Sequence, residues 1–199
     1  MIPHRQFIEH IARTFGENEN TIMLAHRVMR EAGVTSGKQG RHSPMRGPHD
    51  AAIFLSWIGV TDKPTAAADA VRDFGMSPHW IGKLDGDDPL KALGLGPKHT
   101  LIDLLTSLIE AATTTKSLPG YNIEFAPGDL EVAIDFGFTR HRYSREDDPA
   151  ADVYFAKYGQ PYRINRIFPH EFIKVLAAPF AKQAEPGRPT SNRENTDAA

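Results

Sequence analysis

The sequence predicts an α+β fold, with a helical N-terminal region followed by a small antiparallel sheet packed with helices. Three observations carry this reading. Phe7, Ile8, Ile11, Ala12 and Phe15 recur at the spacing of one helix face. From Leu130 to Phe138 the period drops to 2: Leu130, Val132, Ile134, Phe136 and Phe138 alternate with Glu131, Ala133, Asp135 and Gly137. Gly- and Pro-rich stretches separate the two regimes.

The elements follow in order. Gly16 stops the first helix, and Asn18 or Asn20 starts a second that runs to about Ala32 and buries Ile22, Ala25, Val28 or Met29, and Ala32. Gly33 ends it. Residues 33–47 hold four glycines and Pro44, which excludes a regular helix. Pro48 opens a third helix through Ala51, Ile53, Phe54, Trp57 and Ile58, and Pro64 a fourth with Ala67, Ala68, Val71 and Phe74 inward and Gly75 at its end. Met76 to Gly96 reads as a connector with room for a short helix. Pro97 starts an apolar helix holding Leu101, Ile102, Leu104, Leu105, Leu108, Ile109 and Ala112. Pro127-Gly128 turns the chain between strands at Tyr121–Phe125 and Leu130–Phe138. Asp152–Tyr158 and Tyr162–Phe168 suggest a second hairpin, and Pro169 opens a last helix with Phe172, Ile173, Val175, Leu176 and Phe180. The expected units are therefore a domain over 1–76, a connector over 77–96, an α+β domain over 97–182 and a disordered polar tail over 183–199.

Composition sets bounds on function. The 199 residues carry 23 Lys+Arg against 25 Asp+Glu, a formal net charge of -2, and no cysteine. Disulfides, thiolate nucleophiles and Cys-based metal sites are excluded. No apolar run approaches the ~18 residues of a membrane span, and the N-terminus lacks a signal-type apolar core, so the expected compartment is the cytoplasm. The near-zero charge is a cancellation. From His26 to His49 there are five Lys/Arg and one acid, a net of +4; from Thr100 to Phe138 there are six acids and one lysine, a net of -5. Such asymmetry is more informative than the sum.

The Ile11-Ala12, Phe15-Gly16, Ile22 and Ala25 arrangement puts a small residue, a turn glycine and docking apolar residues at helix-turn-helix offsets. Residues 8–27 resemble the helix-turn-helix of phage repressors, although Glu17 stands where that family usually has an apolar residue. With the basic Gly-rich stretch that follows, residues 3–75 resemble winged helix-turn-helix DNA-binding regulators of bacterial and phage type. By that resemblance His26, Arg27 and Arg30 form the polar face of a recognition helix, and Lys38, Arg41 and Arg46 are wing cations. Gln39, His42 and two serines would add hydrogen bonds to phosphate or base edges.

Other constellations are weak. The nine histidines contain no H-x-x-x-H pair, so no metal site is predicted, and no nucleotide-binding or nucleophile-elbow motif occurs. Arg140-His141-Arg142-Tyr143-Ser144-Arg145 is followed at once by three acids and reads as a loop between hairpins. The expected function is thus a DNA-binding transcriptional regulator, a homodimer on double-stranded DNA, with no cofactor and no catalysis. The alternatives are a phage DNA-packaging recognition subunit of small-terminase type, or an interaction protein or small enzyme without DNA.

Overall fold

Two glycines in left-handed backbone conformations punctuate the N-terminal helices. The computed structural model describes residues 1–35, 45–76, 79–81, 88–114, 118–127, 131–144 and 165–181. Helix α1 (His4–Phe15) ends at Gly16, φ 70°, and the Glu17 N–H bonds back to the Ala12 carbonyl at 2.9 Å. Asn18 is the cap used for α2 (Glu19–Glu31): its side-chain oxygen accepts the Asn20 N–H at 2.8 Å. Gly33, φ 72°, closes α2, and the Val34 N–H returns to the Met29 carbonyl at 2.8 Å.

Helix α3 (Pro48–Val60) has no polar side: every residue from Ala51 to Val60 is buried. Such a helix must be enclosed by others. The stretch read as one fourth helix is a single winding of three pitches, a 3-10 turn (Pro64–Ala66), a short α4 (Ala67–Ala70) and a π-helical turn (Val71–Met76). Its expected inward residues Ala67, Ala68, Val71 and Phe74 are all buried. The connector is more structured than expected, holding strand β1 (His79–Ile81) and helix α5 (Pro89–Ala92). Helix α6 (Leu101–Ala112) begins after Thr100 and not at Pro97. A reciprocal cap decides this: Thr100 Oγ1 accepts the Asp103 N–H at 3.2 Å, and Asp103 Oδ2 accepts the Thr100 N–H at 2.8 Å.

Among the described residues the sheet has five strands in the order β1-β4-β3-β2-β5. Its further members are β2 (Asn122–Ala126), β3 (Glu131–Asp135), β4 (Arg140–Ser144) and β5 (Arg166–Pro169), and every pairing is antiparallel. Helix α7 (His170–Ala181) follows β5 directly. Three expectations change here. Arg140 to Ser144 is a strand and not a loop. Phe168 pairs beside Ile123 of β2, and the expected partner strand at 152–158 lies outside the described residues. Phe138 is 89% exposed, because β3 ends at Asp135 and Phe136-Gly137-Phe138-Thr139 is a tight turn. In that turn Gly137 sits at φ 86° and the Phe136 N–H bonds to the Thr139 carbonyl at 2.9 Å.

Register places Ile123, Ile134 and His141 in one inward row and Phe125, Val132 and Tyr143 in the next. Glu124, Ala133 and Arg142 alternate with them on the other face. The sheet meets α3 through β2 and α7 through β5. One hydrophobic cluster joins Phe7, Ile11 and Phe54 to Leu104, Phe125 and Phe180. The expected boundary between 1–76 and 97–182 therefore does not separate two cores.

The tightest contact in this core lies between α3 and the sheet. A methyl group on Gly59 would stand 2.5 Å from the ring of Phe125, closer than carbon atoms pack. Gly59→Ala is expected to cost about 1–3 kcal/mol through overpacking, read as a lower urea midpoint. Gly75→Ala should cost less, since its new methyl meets the flexible tip of Ile102. Equal stability of G59A and the native chain would show that α3 is free to move off the sheet.

Candidate nucleic-acid interface

The three-residue turn Gly16–Asn18 sets α2 across α1, with Ile22, Ala25 and Met29 buried against the core. The opposite face carries Asn20, Met23, Leu24 and Arg27 in solvent. Arg27 is two-thirds exposed, and its Nε donates to Glu31 at 2.8 Å, an i,i+4 pair on the helix surface. Arg30 is half-buried. Both cations of the recognition-helix reading are thus at or near the surface, and Arg27 carries its own counter-charge. Glu17 and Glu19 lie at the start of α2, so that end is acidic.

His26 does not belong to this face. It is 6% exposed, its ring stacks on Phe54 at 12° and lies 4.7 Å from the ring of His4. Arg46 Nη2 donates to its Nε2 at 3.0 Å, so the neutral ring carries its hydrogen on Nδ1. Arg46 is likewise removed from the wing. It is 2% exposed, and its Nη1 donates to Asp50 Oδ1 at 2.8 Å. Its backbone exchanges two 2.8 Å hydrogen bonds with Ile2, which ties down the N-terminus. Asp50 also accepts the Gly47 N–H at 3.0 Å and so caps α3. The physical reason for both corrections is the same. A buried guanidinium needs a carboxylate and further acceptors around it, and Asp50 and His26 supply them. Lys38, Gln39, Arg41 and His42 lie outside the described residues.

The described residues that flank 36–44 are nevertheless fixed on α2. Val34 and Thr35 are buried at one end, with both N–H groups directed to the Met29 carbonyl. At the other end Arg46 holds His26, three residues earlier on α2. Thr35 and Arg46, on either side of the stretch bearing Lys38 and Arg41, are therefore both bonded to α2.

A second polar cluster, not anticipated from the sequence, lies under the sheet. Gly96 accepts His99 Nδ1–H at 2.5 Å, and Tyr143 O–H donates to His99 Nε2 at 2.6 Å. His141 Nε2 stands 3.3 Å from Asp88 Oδ1, which also accepts the Leu90 N–H at 2.8 Å and caps α5. Burial, with Asp103 and Asp88 adding to it, pushes the Tyr143 phenol above its ordinary range. Burial lowers His141 against the opposing pull of Asp88. The readable signal was the alternation of His141 and Tyr143 with Arg140 and Arg142. The outward arginines are engaged too: Arg140 donates to Glu124 at 2.9 Å, and Arg142 lies 3.5 Å from Glu131. Among the described residues no three His, Asp or Glu side chains converge as metal ligands, and no helix is long and apolar enough to cross a membrane.

Burial first, then the neighbouring Arg46, pushes the His26 imidazole from 6.5 down to about 4. The folded state thus binds this proton less readily than the unfolded state. The stability from neutral His26 is complete above pH 6.5 and is lost as pH falls towards about 4. The loss is on the order of 3 kcal/mol by linkage. His26→Gln keeps an acceptor for Arg46 without a titrating ring. Thermal melts across this window should fall less steeply for H26Q than for the native chain, and parallel curves would reject the assignment. Compared with known proteins, the chain matches no family model, no curated protein and no solved structure.

Proposed function

We propose that this chain binds double-stranded DNA as a homodimeric transcriptional regulator of bacterial or phage type, acting by occlusion or recruitment at a promoter. One observation supports the reading: α1 and α2 are joined by a turn at left-handed Gly16, and residues on both sides of the basic stretch in the sequence bond to α2. α2 offers Asn20, Met23 and Arg27 from its solvent side, a set able to reach base edges and thymine methyl groups. Lys38 and Arg41 are the cations of the segment, with Gln39 and His42 as hydrogen-bonding partners. His26 and Arg46 hold this surface in place from beneath. Dimerisation belongs to the proposal because one such module covers little DNA, and two half-sites supply the missing affinity.

The contact set is now narrower than the segment charge implied, and the experiment follows it. Electrophoretic shifts with genomic fragments across a salt series should weaken in Lys38→Glu/Arg41→Glu. The log–log salt slope should shrink by roughly one for each phosphate contact removed. Arg27→Ala should weaken binding further. Arg140→Glu/Arg142→Glu should leave it unchanged, since those arginines face acids on the sheet. A shift that survives K38E/R41E but is lost in R140E/R142E would move the interface to the sheet. Arg46 is unsuited to this test, because reversing a buried charge opposite His26 unfolds the region by several kcal/mol.

A further inference from the structure

We propose that the groove where the helix-turn-helix meets the edge strand binds a small aromatic carboxylic acid. The groove measures about 380 Å³ and lies between the end of α1, the end of α3, β5 and α7. That volume falls at the lower end of the roughly 300–1,000 Å³ typical of small-molecule clefts. Its apolar wall is three half-buried phenylalanines, with Phe15–Phe172 centroids 5.1 Å apart and Phe168–Phe172 centroids 5.0 Å apart. Tilted rings at this spacing leave faces and edges against which a further ring packs.

The polar groups are few and of opposite sign. Arg166 lines the groove and donates through Nη1 to the Ile58 carbonyl at the end of α3. That bond uses one of its five N–H donors, and a carboxylate is the group whose two oxygens match the remaining fork. Thr14 adds a hydroxyl to the same groove. Glu17 stands on its rim, so an ammonium group on the acid gains a partner there. A plain aromatic acid and an aromatic amino acid share the ring and the carboxylate. They differ only at Glu17.

The site is independent of the DNA reading and is tested without DNA. Phenylacetate, L-phenylalanine, phenethylamine and benzyl alcohol are titrated into the full chain by calorimetry, with thermal shift in parallel. The two acids are expected to bind, with benzyl alcohol and phenethylamine weaker by roughly tenfold or more, as loss of a charge-assisted hydrogen bond implies. Tighter binding of L-phenylalanine than of phenylacetate, abolished in Glu17→Gln, identifies the amino acid as the preferred form. Equal affinity of the two identifies the plain acid. Arg166→Gln should weaken both acids by a similar factor and leave benzyl alcohol unchanged. Where R166Q does not fold, the comparison of acids with benzyl alcohol in the native chain still decides. Equal binding of benzyl alcohol, or no binding of either acid, overturns the proposal.

Discussion

The structure depends on enclosing α3. A helix buried all round has satisfied main-chain bonds in its middle and exposed demands only at its ends. Both ends of α3 are tied to arginines that lie outside the helix. At its start, Asp50 accepts the Gly47 N–H and is itself held by Arg46. At its end, Arg166 of the edge strand donates to the Ile58 carbonyl, and Trp57 Nε1 donates to the Lys63 carbonyl at 3.2 Å. The two arginines come from opposite ends of the chain. Enclosing α3 therefore requires the N-terminal helices and the sheet together, and neither half has a core without it.

This explains why segment charge misleads at Arg46. A window from His26 to His49 counts that residue as a free cation, yet its counter-charge is Asp50, the next residue beyond the window. The spacing that would have exposed the pair is local. Arg5–Glu9, Arg27–Glu31 and Arg46–Asp50 are all i,i+4 pairs with ion-pair distances of 2.8–2.9 Å. Two are on the surface and weaken the apparent basicity only slightly. The third is buried and removes a cation from solvent entirely. His26 was legible in the same way: it lies one turn from Ile22 and Met29 on the apolar stripe of α2.

What could be read from the sequence was local. Gly16, Gly33 and Asn18 mark their helix ends by backbone conformation and side-chain capping, and the apolar stripes of α1 and α6 lie where their periodicity puts them, as does that of α7 apart from Val175, which is exposed. What could not be read was non-local. β5 pairs with β2 across some forty residues of chain, and no hairpin signal marks that distance. β4 was hidden for a different reason. Its outward residues are arginines and its inward ones His141 and Tyr143, so the alternation is polar with polar. Hydropathy sees no period there, although the pleat is regular. The three-residue β1 at the opposite edge offers still less pattern.

The shared core also ties the α1–turn–α2 pair to the rest of the fold. In an autonomous module, α1 and α2 pack only on their own third helix. Here Phe15 packs on Phe168 and Phe172, and His10 Nε2 bonds to the Leu176 carbonyl of α7 at 3.0 Å. The turn that orients α2 is thus braced by the last strand and helix of the fold. If α2 reads DNA, the sheet half is the body on which it is mounted and not a separate domain joined by a linker. A displacement at Phe168 or Phe172 would reach Gly16 through one aromatic contact. The groove at that junction therefore adjoins both the end of α1, through Phe15, and Glu17, the residue that follows the turn glycine.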